Sequence, residues 1–179
     1  MLSISPETIF RGNDAWQEAL PQIVKLTDSP LILGRSVHTN NIKNKIFRDL
    51  KNQDLNVNSV NLQFDCCYED ILRVKSLILN NNHDSVIAAG GGKVLDAGKY
   101  IAESLNIPSI TVPLSASTCA GWTALSNIYT KKGQFIKDVA LSSCPKILVF
   151  DHKFIQTAPS RTLASGIADA LAKWYESSI

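Results

Sequence analysis

Residues 84–100 read DSVIAAGGGKVLDAGKY. An apolar run, Ser85–Ala89, meets three glycines and a lysine, and a helical pattern follows through 94–105. A strand that sheds its side-chain bulk at its carboxyl end lets a ligand approach the backbone. The helix after it aims free N–H groups and partial positive charge at the same spot. Phosphate binding at residues 90–93, with Lys93 as a full charge, is one reading of the turn. A tight strand-to-helix connection without a ligand is the other. GxGxxG would need glycine where Leu95 stands, and GxxxxGK[ST] would need glycine at 93 and a hydroxyl where Tyr100 stands. Neither of those phosphate motifs applies.

Outward from this turn, short apolar runs alternate with amphipathic ones. PLILG (30–34), VNSVNLQF (57–64), SVIAA (85–89) and PSITVP (108–113) have strand character. NIKNKIFRDLKNQ (41–53), YEDILRVKSLILNN (68–81) and VLDAGKYIAESL (94–105) have helical spacing. This βαβαβαβ order predicts an α/β, Rossmann-like parallel sheet with helices on both faces. The rhythm breaks after 113. A loop of small residues leads to a β-hairpin with Lys131, Lys132 and Gly133 in its turn. KILVFD (146–151) is a further strand, and a helix opens near Pro159 and still runs at Ile179. The reading gives two parts, an α/β domain over 1–157 and a first helix of a second domain over 158–179.

Composition narrows the function. Of 179 residues 45% are hydrophobic, enough for a core, and the net charge of +2 is scattered. A nucleic-acid partner is therefore not indicated. No apolar run approaches the ~20 residues of a membrane span. The N-terminus lacks the pattern of a secretion signal, and Cys66, Cys67, Cys119 and Cys144 contain no CxxC pair. A reducing cytoplasm is the expected setting.

Three stretches taken in order, GGGKVLDAGK (90–99), VPLSASTCAGWTALSNIYT (112–130) and GIADALAKWYE (166–176), resemble the iron-containing alcohol dehydrogenase and glycerol dehydrogenase family, related to dehydroquinate synthase. The resemblance implies a nucleotide-binding domain followed by a helical, metal-binding one. Gly91, Gly92, Lys93 and Asp96 fall on the pyrophosphate loop. Asp96, taken to lie in the first helical turn, would orient that loop or meet a ribose or nicotinamide group. Ser115, Ala116, Ser117 and Thr118 fall on the loop beside the nicotinamide, and Thr123, Leu125 and Tyr129 on further cofactor-lining positions. Asp169 falls on the metal-binding aspartate. The matching histidines lie outside this sequence, and His38, His83 and His152 read as surface or loop residues. Iron or zinc is thus expected only in a full-length enzyme, and no turnover by residues 1–179 alone.

The departures from the family pattern carry their own implications. Leu114 replaces a threonine that has a hydroxyl to offer the cofactor. Cys119 replaces an aspartate that meets a polyol, so it reads as a wall of the substrate pocket and weakens glycerol as the substrate. Gly121–Trp122 replaces Pro–Thr and makes that wall bulkier. Arg35, with Ser36, stands after the first expected parallel strand, where many members place an aspartate on the adenosine ribose. An arginine fork suits a phosphate dianion, so NADP is expected over NAD. The resemblance implies half of a dehydrogenase that takes a nicotinamide dinucleotide and an alcohol or polyol, as a homo-oligomer. A sugar-phosphate cyclase, a glycerol-1-phosphate-type dehydrogenase and a stand-alone nucleotide-binding module are the competing readings.

Overall fold

Leu31, Ile32 and Leu33 are all buried, as are residues 85–90, because these strands lie inside a sheet covered on both faces. The computed structural model describes residues 4–178. In chain order its elements are β1 (Thr8–Gly12), α1 (Ala15–Leu26), β2 (Pro30–Gly34), a 3-10 turn (Val37–Thr39), α2 (Asn40–Lys51), β3 (Asn58–Asn61), α3 (Tyr68–Asn80), β4 (Ser85–Gly90), α4 (Gly92–Ser104), β5 (Ser109–Pro113), β6 (Leu125–Tyr129), β7 (Phe135–Ala140), β8 (Ile147–Asp151), α5 (His152–Ile155) and α6 (Ser160–Glu176). Six parallel strands form a Rossmann-like sheet in the order β1-β8-β5-β4-β2-β3. The antiparallel β6–β7 hairpin stands apart from it.

Strand alternation sorts the core into two layers. Ile32, Ile87, Ala89, Ile110 and Val112 face Trp16, Ala19 and Ile23 of α1 and Ile46 and Leu50 of α2. Leu31, Leu33, Val86 and Ala88 face Ile71, Val74 and Ile78 of α3 and Leu95 and Ile101 of α4. The chain leaves β2 toward one sheet edge, through α2 to β3, and leaves β4 toward the other, through α4 to β5. The strand order reverses between β2 and β4, and a crevice opens there at the carboxyl ends of the strands.

Two expectations change, and the glycine turn has a particular backbone. The expected elements begin at 30, yet β1 and α1 precede them, and β1 pairs with β8 at the sheet edge. The strand before Arg35 is therefore the second of the sheet's strands in the chain. The strand expected over 57–64 ends at Asn61, because the Gln63 and Phe64 amides donate to the Asp70 carboxylate (3.0 and 2.7 Å) instead of to a neighbouring strand. The glycine turn uses no left-handed backbone. Gly91, the residue before α4, is extended at φ −83° and ψ −179°.

Candidate functional site

Close packing brings α4 against the face of the sheet at the central strand β4. A Cβ on Gly98 would stand 2.5 Å from the Ala88 Cβ, so helix and strand touch there. At Gly90 a Cβ would meet the Val94 side chain at 2.7–3.0 Å, and at Gly92 the Thr118 Cγ2 at 3.0 Å. These two glycines are required by the protein's own packing. A Cβ on Gly91 would meet only the Ser115 Oγ, at 3.7 Å, so nothing in the chain requires glycine there. The space beside it belongs to a cleft of about 270 Å³ lined by Gly90–Val94 on one side and by Arg35, Ser36 and Thr39 on the other. This is the crevice where the strand order reverses. The first two amides of α4, those of Gly92 and Lys93, have no acceptor within the helix and belong to residues that line this cleft.

The far wall is built by the segment after β2. The Ser36 hydroxyl accepts from the His38 amide (3.2 Å), starting the 3-10 turn and keeping its own proton to donate. The Thr39 hydroxyl donates to the Ser36 carbonyl at 2.8 Å. The Arg35 side chain is 43% exposed, with Nη2 3.8 Å from the Asp65 carboxylate. Lys93 lines the cleft, but its ammonium is engaged elsewhere. It lies 2.5 Å from Asp65 Oδ2 and 4.3 Å from the centroid of the Tyr129 ring. Asp65, in the β3–α3 connection, carries no motif and escaped the sequence reading. Its position at the carboxyl end of a strand, level with the glycine turn, was the available signal.

Asp96 is the fifth residue of α4, not part of its first turn, and lies buried under the hairpin. Its carboxylate is 3.0 Å from Lys99 Nζ, and its carbonyl accepts from the Ser126 hydroxyl at 2.9 Å. Lys99, also buried, donates to the carbonyls of Ala120 (2.7 Å), Thr123 (3.1 Å) and Leu125, and to the Thr123 hydroxyl (3.3 Å). Burial pushes the Lys99 ammonium down and the Asp96 carboxyl up, and each charge opposes the other's shift. The pair ties the 119–125 loop and the hairpin to α4. Sequence reading put Asp96 and Thr123 toward the cofactor. The structure engages both with Lys99, and Leu125 is 40% exposed.

Ser115–Thr118 covers the glycine turn. The hydroxyls of Ser115 and Ser117 lie 3.1 Å apart, and Thr118 Oγ1 accepts from the Ala120 amide at 3.2 Å. Beyond this loop is a second cleft of about 560 Å³ that includes Thr118, Cys119, Trp122, Phe150, Asp169 and Lys173. Trp122 packs on Phe150 with centroids 5.0 Å apart, and both rings line this cleft. A Cβ on Gly166 would fall 1.8 Å from the Ala116 carbonyl oxygen, so α6 crosses the loop in direct contact. Asp169 faces Lys173 at 3.8 Å. Among the described residues no three His, Cys, Asp or Glu side chains gather as metal ligands. Asp169 could supply one carboxylate to a divalent ion, and a complete site needs further ligands beside it. His83 lies in the loop between α3 and β4, within the expectation of a surface or loop residue, although it is not at the surface. It is buried, with Nδ1 3.0 Å from the Ser29 hydroxyl and Nε2 3.1 Å from the Asn58 amide nitrogen.

The model of a known family, iron-containing alcohol dehydrogenase, matches residues 6–152. The chain belongs to that family. An uncharacterised oxidoreductase of Synechocystis sp. is 37% identical over 179 residues, 99% of this chain and 46% of that protein. A glycerol dehydrogenase of Pseudomonas putida is 33% identical over 172 residues, 96% of this chain and 47% of that protein. The crystal structure of glycerol dehydrogenase from Schizosaccharomyces pombe superposes with a TM-score of 0.87 at 31% identity, covering 98% of this chain and 44% of that one. The chain thus spans about half the length of the curated relatives it matches. It forms a six-stranded α/β sheet, and the helix α6 follows the last strand and α5. No described helix is long and apolar enough to cross a membrane.

Proposed function

We propose that this chain is the nicotinamide-dinucleotide-binding half of a metal-dependent alcohol or polyol dehydrogenase, acting in the cytoplasm. The observation that carries the reading is Gly91, a glycine no neighbour demands, opening onto the crevice between β2 and β4 at the start of α4. The diphosphate lies on the amides at the start of α4, and the adenosine extends toward Arg35 and Ser36. Ser115–Thr118 and α6 border the nicotinamide end, with the Trp122–Phe150 wall excluding water from the alcohol. The bound dinucleotide supplies the hydride acceptor or donor. Asp169 contributes one carboxylate to a metal site completed by residues outside this sequence, in a second domain that α6 begins. The relatives named as glycerol dehydrogenases support a polyol or alcohol, while Cys119 in place of a carboxylate argues against glycerol itself.

NADP is preferred over NAD. Arg35 keeps a partly exposed side chain at the cleft wall beside a hydroxyl with a free proton, an arrangement that suits a 2′-phosphate. Calorimetric titration of the 179-residue chain tests this. NADP⁺ is expected to bind at least about tenfold more tightly than NAD⁺, a difference of about 1.4 kcal/mol, and Arg35→Gln to remove the difference. Tighter NAD⁺ binding overturns the preference, and no heat with either overturns the dinucleotide reading.

A further inference from the structure

We propose that Asp65 is a positioning residue for the dinucleotide cleft: it takes up the charge of Lys93 and clamps the hairpin over the glycine turn, leaving main-chain amides and Arg35 to meet the anionic ligand. The inference rests on the dinucleotide reading above and revises what its lysine does. Asp65 is 2% exposed. A carboxylate so placed is tolerated only when paired and hydrogen-bonded. Its Oδ1 accepts from the Cys66 amide at 2.8 Å, and its Oδ2 meets Lys93 Nζ at 2.5 Å. Arg35, the looser partner at 3.8 Å, remains free to turn toward a ligand.

The pair joins segments far apart in the chain. Lys93 stands on the Tyr129 ring, and the Tyr129 amide donates to the Cys66 carbonyl at 2.8 Å, one residue from Asp65. The hairpin tip closes on the same point. A Cβ on Gly133 would lie 3.4 Å from Asp65 Oδ2 and 3.6 Å from Lys93 Nζ, with Gly133 in the left-handed region at φ +79°. The lysine of the glycine turn is therefore spent on a carboxylate and an aromatic face.

Two measurements on the 179-residue chain decide this, using Asp65→Asn, Lys93→Met and the charge-conserving Lys93→Arg, with folding verified by circular dichroism. Hydrogen exchange without ligand reads the clamp. Asp65→Asn and Lys93→Met should each speed exchange in residues 125–140 at least about tenfold relative to the sheet strands, and Lys93→Arg should restore protection. Unchanged exchange in both variants overturns the clamp. NADP⁺ titration against ionic strength reads the phosphate role. Lys93→Met should leave the salt dependence of the dissociation constant unchanged, whereas Arg35→Gln flattens it. A flattened slope in Lys93→Met, with tighter binding in Asp65→Asn, makes Lys93 a phosphate ligand and overturns the proposal. If the parent chain binds no dinucleotide, the functional reading and the ligand half of this proposal fall together, and the exchange experiment still judges the clamp.

Discussion

Lys99 shows how one side chain organises a loop that has no regular structure. Its ammonium holds carbonyls at 120, 123 and 125 and the Asp96 carboxylate, all from inside the protein. Such a pair contributes little net stability compared with a well-packed apolar pair, but removing one member strands the other. Lys99→Met should cost about 3–5 kcal/mol by denaturant unfolding, and Asp96→Asn in the same background should recover part of it. If Lys99→Met is as stable as the parent, the lysine does not anchor the loop. Lys93 has the same chemistry but a different fate, since its partner lies on another connection and its side chain is 36% exposed.

At the scale of elements, α3 is set by Asp70 near its start. Burial alone raises this carboxyl's pKa, but the amides of Gln63 and Phe64 and the Arg73 guanidinium outweigh burial and hold it below the ordinary value. A depressed carboxylate stabilises the fold fully above its unfolded value, about pH 4, and loses that contribution as pH falls through the folded value. Asp70→Asn should therefore melt well below the parent at neutral pH, by about 2 kcal/mol, with the gap closing under acid. A gap that stays constant from pH 7 down to about pH 2 would contradict the assignment. The same interactions explain why β3 is shorter than its apolar pattern suggests. Of the missed elements, α1 carries Trp16, Ala19 and Ile23 at helical spacing, but Pro21 sits inside it and reads as a break. Trp16 is held from two directions, its amide donating to Asp151 (3.0 Å) and its indole to Asp49 (2.8 Å), and these contacts come only with the tertiary fold.

For the molecule as a whole, α6 leaves an apolar stripe in solvent. Leu163, Ile167, Leu171 and Trp174 recur at helical spacing and are 54%, 54%, 62% and 74% exposed. A contiguous face of this kind seeks cover. Sedimentation velocity should show association that grows with concentration, and Leu171→Glu with Trp174→Glu should shift the chain to monomer. A parent chain that stays monomeric at high concentration refutes this. The sequence by itself determined the strand and helix alternation, the glycine turn and the apolar face of α6, because hydrophobic period and glycine act on their own neighbourhood. The tertiary structure alone decided that β1 joins β8 and that each lysine of the turn region has a protein partner. Lys93 finds Asp65 across 28 residues and Lys99 finds its carbonyls across 21 to 26. A charge acts through space, and only the fold fixes which opposite charge lies within reach.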